Sequence, residues 1–226
     1  MKKLAMFDID GVIYEGHSIF DQIQDQEKRG ILEAGTWDKI LFELTEYKSG
    51  RKNYTQAANS MLEVSAMSIK GKSLNMILDD TFNYLLKNKD KFFPYFEKLV
   101  NMIKGDYDIY LVTTNFQVMP EAIQKIFDLE SKYISSTAEV TDGKFTGKVS
   151  LSLAGNKGIV SKLVKKYGKK GSIAVGDSEN DADMLNLVDF PIVMEPNPKL
   201  TVIAKENNWQ IVDRDTIAGI IIEHAK

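Results

Sequence analysis

The chain has 226 residues, enough for one large domain or for one domain carrying an inserted lobe. Apolar residues make up 43%, which supports a sizeable core and excludes a disordered chain. A net charge of −3 gives no sign of the basic face of nucleic-acid binders, and the absence of cysteine excludes disulfides, thiolate metal sites and a cysteine nucleophile.

Met-Lys-Lys runs directly into an apolar stretch, Leu4 to Phe7, that predicts a short buried strand. The stretch is too short for a signal peptide, and no apolar run approaches the roughly 18 residues of a membrane span, so a cytoplasmic location is expected. The strand is followed by Asp8-Ile9-Asp10-Gly11-Val12. Side chains two residues apart point the same way in extended backbone, so Asp8 and Asp10 are expected in one small volume. Such close like charges require a proton or a shared cation. Gly11 lets the chain turn away sharply.

From residue 15 to 88 the pattern is helical throughout, with segments predicted at 18–29, 36–48, 53–68 and 73–88. In the second, Trp37, Ile40, Leu41, Leu44 and Tyr47 recur at helical spacing. Gly30, Gly35, Gly50 and Gly71 punctuate the segments. This region reads as a helical insertion.

After Pro94 strands and helices alternate. A helix at 94–104 precedes a strand at 109–112, and a helix at 118–127 precedes a strand near 133–139. Asp142-Gly143 marks a hairpin. A helix at 156–167, a strand at 172–175, a short helix at 180–187, a strand at 192–194, a helix opened by Pro196 and Pro198, and a last strand at 209–212 complete the order. The alternation predicts an α/β fold, a doubly wound, Rossmann-like parallel sheet with helices on both faces. Ligands in such sheets bind beyond the carboxyl ends of the strands.

Three further polar clusters fall there. Thr113-Thr114-Asn115 offers hydroxyls to a phosphate, although Thr and Asn are equally common as helix caps. Gly155-Asn156-Lys157-Gly158 places a lysine near a helix start, without P-loop spacing. Gly176-Asp177-Ser178-Glu179-Asn180-Asp181 crowds acids into one loop, a donor set suited to Mg²⁺. An EF-hand is excluded, because Ala182 and Val188 stand where that loop needs Gly and Glu. Together the four clusters describe a phosphoryl-transfer site.

In this order the motifs resemble those of the haloacid dehalogenase superfamily: DIDGV at 8–12, Thr113 after a strand, Lys157, and GDSEND at 176–181. The helical insertion and the stretch 142–148 look like the phosphoserine phosphatase branch, with its helical cap. The resemblance implies a core domain of 1–14 and 89–226 and a cap domain of 15–88. It implies Asp8 as nucleophile, Asp10 as acid and base, and Thr113, Thr114, Asn115 and Lys157 around the phosphate. Mg²⁺ would be held by Asp8, the Asp10 backbone carbonyl and Asp177, with Asn180 and Asp181 orienting ligands from behind.

The implied substrate is a small phosphomonoester, with no nucleic acid and no membrane involved. The phosphoserine enzymes hold the charged end of their substrate with a cap glutamate and arginine. Those positions fall here on His17 and Met61, with Glu15 and Arg51 close by as substitutes. A buried zwitterion without charged partners is costly, so phosphoserine itself is disfavoured. His17, Tyr47, Arg51, Tyr54 and Met61 are the candidate cap contacts. Phosphotransfer through the same aspartyl-phosphate is the alternative reaction. A phospho-accepting receiver module is the alternative class, but receivers lack the helical insertion and the late acidic loop.

Overall fold

The computed structural model describes residues 2–129 and 132–225, with the side chain of Lys157 outside that description. Seven strands form one sheet: β1 (Lys3–Phe7), β2 (Tyr107–Phe116), β3 (Lys132–Thr141), β4 (Lys144–Leu151), β5 (Ile173–Gly176), β6 (Phe190–Met194) and β7 (Gln210–Val212). Their order is β4-β3-β2-β1-β5-β6-β7, parallel except for the β3–β4 hairpin. β1 is central because Leu4, Ala5, Met6 and Phe7 are all fully buried, which only a strand covered on both faces allows.

Side-chain alternation divides the core. Ala5, Phe7, Leu111 and Val175 face one side with Phe96 and Leu99 of α5 (Tyr95–Ile103), while Leu4, Met6, Val112 and Ala174 face the other with Val160 and Val164 of α7 (Lys157–Tyr167). The chain winds outward from β1 through β2 and β3 in one direction and through β5, β6 and β7 in the other. That reversal opens a crevice at the carboxyl ends of β1, β2 and β5.

Between β1 and β2 stand α1 (Ser18–Lys28), α2 (Thr36–Lys48), α3 (Tyr54–Ser68) and α4 (Leu74–Lys87). The start of α3 is fixed by a capping box: the Asn53 side chain accepts from Gln56 N, and the Gln56 side chain accepts from Asn53 N. The α3–α4 connection is tied to the hairpin by backbone bonds. Gly71 N donates to Phe145 O, Phe145 N to Lys72 O, and Leu74 N to Gly143 O. The helical layer therefore rests on β4 as well as on its own chain ends.

The remaining helices are α6 (Val118–Phe127), α8 (Ala182–Leu187), α9 (Pro198–Glu206) and α10 (Ile217–Ala225). Two departures from the sequence reading have clear causes. β2 runs on to Phe116, because its pairing with β3 resumes after a register shift between Thr113 and Phe116, so Thr113-Thr114-Asn115 lies in the strand end and caps no helix. α10 was not anticipated. Its isoleucines and Gly219 are weak helix formers, and the helix is held by burying Ile217 and Ile221, with α5 as its neighbour. Among the described residues no helix is long and apolar enough to cross a membrane.

Candidate active site

A cavity of about 520 Å³ lies over the crevice, between the sheet and α1–α3. Its floor is acidic. The carboxylates of Asp8, Asp177 and Asp181 each bring an oxygen within 4.8 Å of the others. Asp8 is positioned by the β1–β5 pairing, which continues one residue beyond β1 as Asp8 N donates to Val175 O at 3.1 Å. Burial pushes the Asp8 carboxyl well above the usual range, and the charges of Asp181, Asp177 and Asp10 raise it further. Asp177 is pushed up to about 7 by burial and then by Asp181, and Asp181 to about 6 by burial.

The acidic loop is pinned from within. Asp181 Oδ2 accepts from Asp177 N and Ser178 N, both at 3.1 Å, and from Ser178 Oγ at 3.3 Å. The close approach needs two glycines. A Cβ on Gly11, whose φ is +77°, would stand 2.2 Å from Asp177 Oδ2, and one on Gly176 would stand 2.4 Å from Asp181 Cβ. Asn180 also lines the cavity and is exposed.

Asp10 lines the same cavity as Asp8 and adds to the charge around it, but its carboxylate has partners of its own. The chain leaves the strand after Phe7, so the alternation rule no longer governs these side chains. Asp10 Oδ1 accepts from Ser18 N at 2.9 Å, and Oδ2 lies 3.5 Å from the Asn115 amide nitrogen. The same amide donates to Ser18 Oγ at 3.1 Å. Burial raises the Asp10 carboxyl, and the bonds to Ser18 oppose that rise. Asn115 lines the cavity, and its amide is engaged by Asp10 and Ser18. Thr114 lines the cavity beside Tyr54 of α3; burial raises the Tyr54 phenol, and Thr114 partly offsets that rise. Thr113 differs: its hydroxyl oxygen accepts from Asn115 N at 3.1 Å, leaving the proton to donate into the cavity it lines.

The remaining expected residues divide. His17, Tyr47, Tyr54 and Met61 line the cavity. Arg51 does not; its guanidinium is exposed and paired with Glu46 at 2.6 Å. Glu15 is likewise exposed and turned toward Arg214. Lys157 opens α7 two residues after Gly155, which lines the cavity, but its side chain lies outside the described residues. Sequence reasoning missed Ser18, and it read Glu179 only as one of the acids of the loop, without its partners. The Glu179 carboxylate gathers Tyr47 Oη at 3.1 Å, Asn197 Nδ2 at 2.6 Å and Lys199 Nζ at 3.0 Å, joining α2 to the acidic loop. A buried serine one residue after a histidine carries no motif, so only the fold exposes its role.

Known proteins resemble this chain in sequence and fold. A phosphoserine phosphatase of Mycobacterium tuberculosis is 24% identical over 92% of this chain and 70% of its own length. A histidinol-phosphatase of Neisseria meningitidis is 23% identical over 94% of this chain and 99% of its own. A solved structure from Bordetella pertussis, of unknown function, superposes with a TM-score of 0.77 at 22% identity, covering 95% of this chain and 99% of that one. The family model of the haloacid dehalogenase-like hydrolases matches residues 2–189. The chain belongs to the haloacid dehalogenase-like hydrolases.

Proposed function

We propose that this hydrolase is a phosphatase that hydrolyses small phosphomonoesters through a covalent aspartyl-phosphate on Asp8, with Mg²⁺ as its cofactor. The observation that carries the reading is the convergence of Asp8, Asp177 and Asp181 within 4.8 Å, beside a separately held Asp10. Helices α1–α4, within residues 15–88, act as a cap over a core made of 1–14 and 89–226. The cap excludes water and large substrates from the cavity.

In the first step an Asp8 oxygen attacks phosphorus and the bond from phosphorus to the alcohol oxygen breaks. Asp10, whose carboxyl burial raises, gives its proton to the departing oxygen. In the second step Asp10, now a carboxylate, takes a proton from water as that water attacks phosphorus. The bond to Asp8 breaks and phosphate leaves, restoring both acids. Ser18 N and the Asn115 amide orient Asp10 for both transfers. Thr113 donates to a phosphoryl oxygen, and Lys157 is assigned the balancing cation beside it.

The donor set fits Mg²⁺: three crowded carboxylates, all raised by burial or by one another, with no nitrogen or sulfur donor. Asp8, the Asp10 carbonyl and Asp177 would hold it, Asp181 would orient them, and the ion would neutralise charge on the carboxylates and the phosphoryl oxygens. The reading is tested with p-nitrophenyl phosphate, with Mg²⁺ and with EDTA. One phosphate per nitrophenol, lost in EDTA, is the expected result. Nitrophenol release without matching free phosphate would instead identify phosphotransfer.

The acid cluster also sets a pH dependence. Asp177 rises from 3.8 to about 7 on folding, so between those values the metal-free folded state binds more protons than the unfolded one. Its contribution to stability therefore falls as pH rises through that window. Mg²⁺ binds the deprotonated set and reverses the loss. The gain in melting temperature on adding Mg²⁺ should be larger near pH ~8 than near pH ~5. Equal gains in a calorimetric scan would remove the cluster as the Mg²⁺ site.

A further inference from the structure

We infer that the alcohol half of the substrate is apolar and carries no ammonium group. The inference rests on the phosphatase reading and deepens it. The acidic floor and Thr113 account for the phosphoryl end of the cavity. The opposite wall comes from α1, α2 and α3, and it is built from Phe20, Ile23, Ile40, Leu44, Met61 and Leu62. Ile40 is fully buried, and Ile23 is exposed by only 3%. They back the wall, and the half-buried Phe20, Leu44 and Met61 present the apolar surface that a ligand meets.

The charges of the lining are distributed unevenly. Among the described residues, the acids that line the cavity come from the floor, the acidic loop and Asp183 in the first turn of α8, and none comes from residues 15–88. Glu179, nearest the helical side, already accepts from Tyr47, Asn197 and Lys199. Lys48, exposed at the rim, is the one lysine or arginine that α1–α3 bring to the described lining. A carboxylate on the substrate could reach it. An ammonium group on this side would find no carboxylate from the helices, only the neutral polar atoms of His17, Tyr47, Tyr54 and Ser65 between apolar side chains, a costly burial for a charge. The volume of about 520 Å³ falls among sites for whole organic ligands, commonly about 300–1,000 Å³. An apolar alcohol half of several carbons fills this wall and releases water from it.

Non-hydrolysable phosphonates test this without relying on turnover. Binding of methyl- through hexylphosphonate is measured by titration calorimetry in Mg²⁺, alongside 2-amino-3-phosphonopropionate. Affinity should rise by about fourfold per methylene until the wall is filled. The amino-acid analogue should bind at least about tenfold more weakly than propylphosphonate. A flat series, or an amino-acid analogue as tight as propylphosphonate, overturns the inference. In Leu44→Glu the slope of the series should diminish and the amino-acid analogue should gain affinity. Hydrolysis of hexyl phosphate, followed in parallel, reports on the catalytic reading alone. Failure of turnover with the chain-length dependence intact would strike that reading and leave the binding inference supported.

Discussion

Asp8→Asn is expected to lower turnover of p-nitrophenyl phosphate by at least about 10⁴-fold while the protein stays folded. An amide oxygen cannot displace the alcohol and hold the phosphoryl group, so the first step is lost outright. The same change removes one of the charges that raise one another in the floor, where Asp8 feels burial first and then Asp181, Asp177 and Asp10. Without metal, the variant should therefore melt no lower than the parent, and above neutral pH it should melt higher. Loss of activity and retention of stability have opposite signs, which separates a catalytic role from a structural one. Steady-state rates and thermal melts in EDTA check both. Residual activity above about 1% of the parent would remove Asp8 as nucleophile.

What the sequence made legible here was local pattern and its consequence for a parallel sheet. Leu4–Phe7 followed by acids, and Ser172–Gly176 followed by acids, each mark a strand and the residues at its carboxyl end. The observed order places β1 beside β5, so the two acidic segments had to meet. The helical insertion was legible for a similar reason, since each segment carries its own periodicity and punctuation. Contacts that depend on assembly were not legible. Ser18 and Asn115 reach Asp10 from 8 and 105 positions away, and nothing near either residue marks it as a partner of an acid. Arg51 illustrates the converse. Its charge suggested a substrate contact, but Glu46 on the same turn of chain binds it first. α10 was hidden because its helix is imposed by burial against α5 over weak propensity.

Asp10→Asn should slow hydrolysis of alkyl phosphates by about 10²–10⁴-fold, and it should affect the two steps differently. The substitution keeps an oxygen for Ser18 N to donate to, so the local geometry survives. What disappears is the proton. An alkoxide is a poor leaving group and needs that proton, so an alkyl ester stalls in the first step. p-Nitrophenolate leaves readily without it, so Asp8 is still phosphorylated by the activated ester. The second step then lacks its base, and the phosphorylated protein accumulates. The expected signature is a burst of about one nitrophenol per chain followed by a slow phase, with one phosphoryl group on the intact protein by mass spectrometry. An equal loss on both esters, with no burst, would mean that Asp10 serves only to shape the floor. The Ser18–Asp10–Asn115 arrangement gives a second handle. Asn115→Leu removes the amide while leaving the proton, so it should depress both esters by a similar, smaller factor and produce no burst. A shift in the pH profile of that variant, without accumulation of the phosphorylated protein, would mark Asn115 as a positioning residue for Asp10.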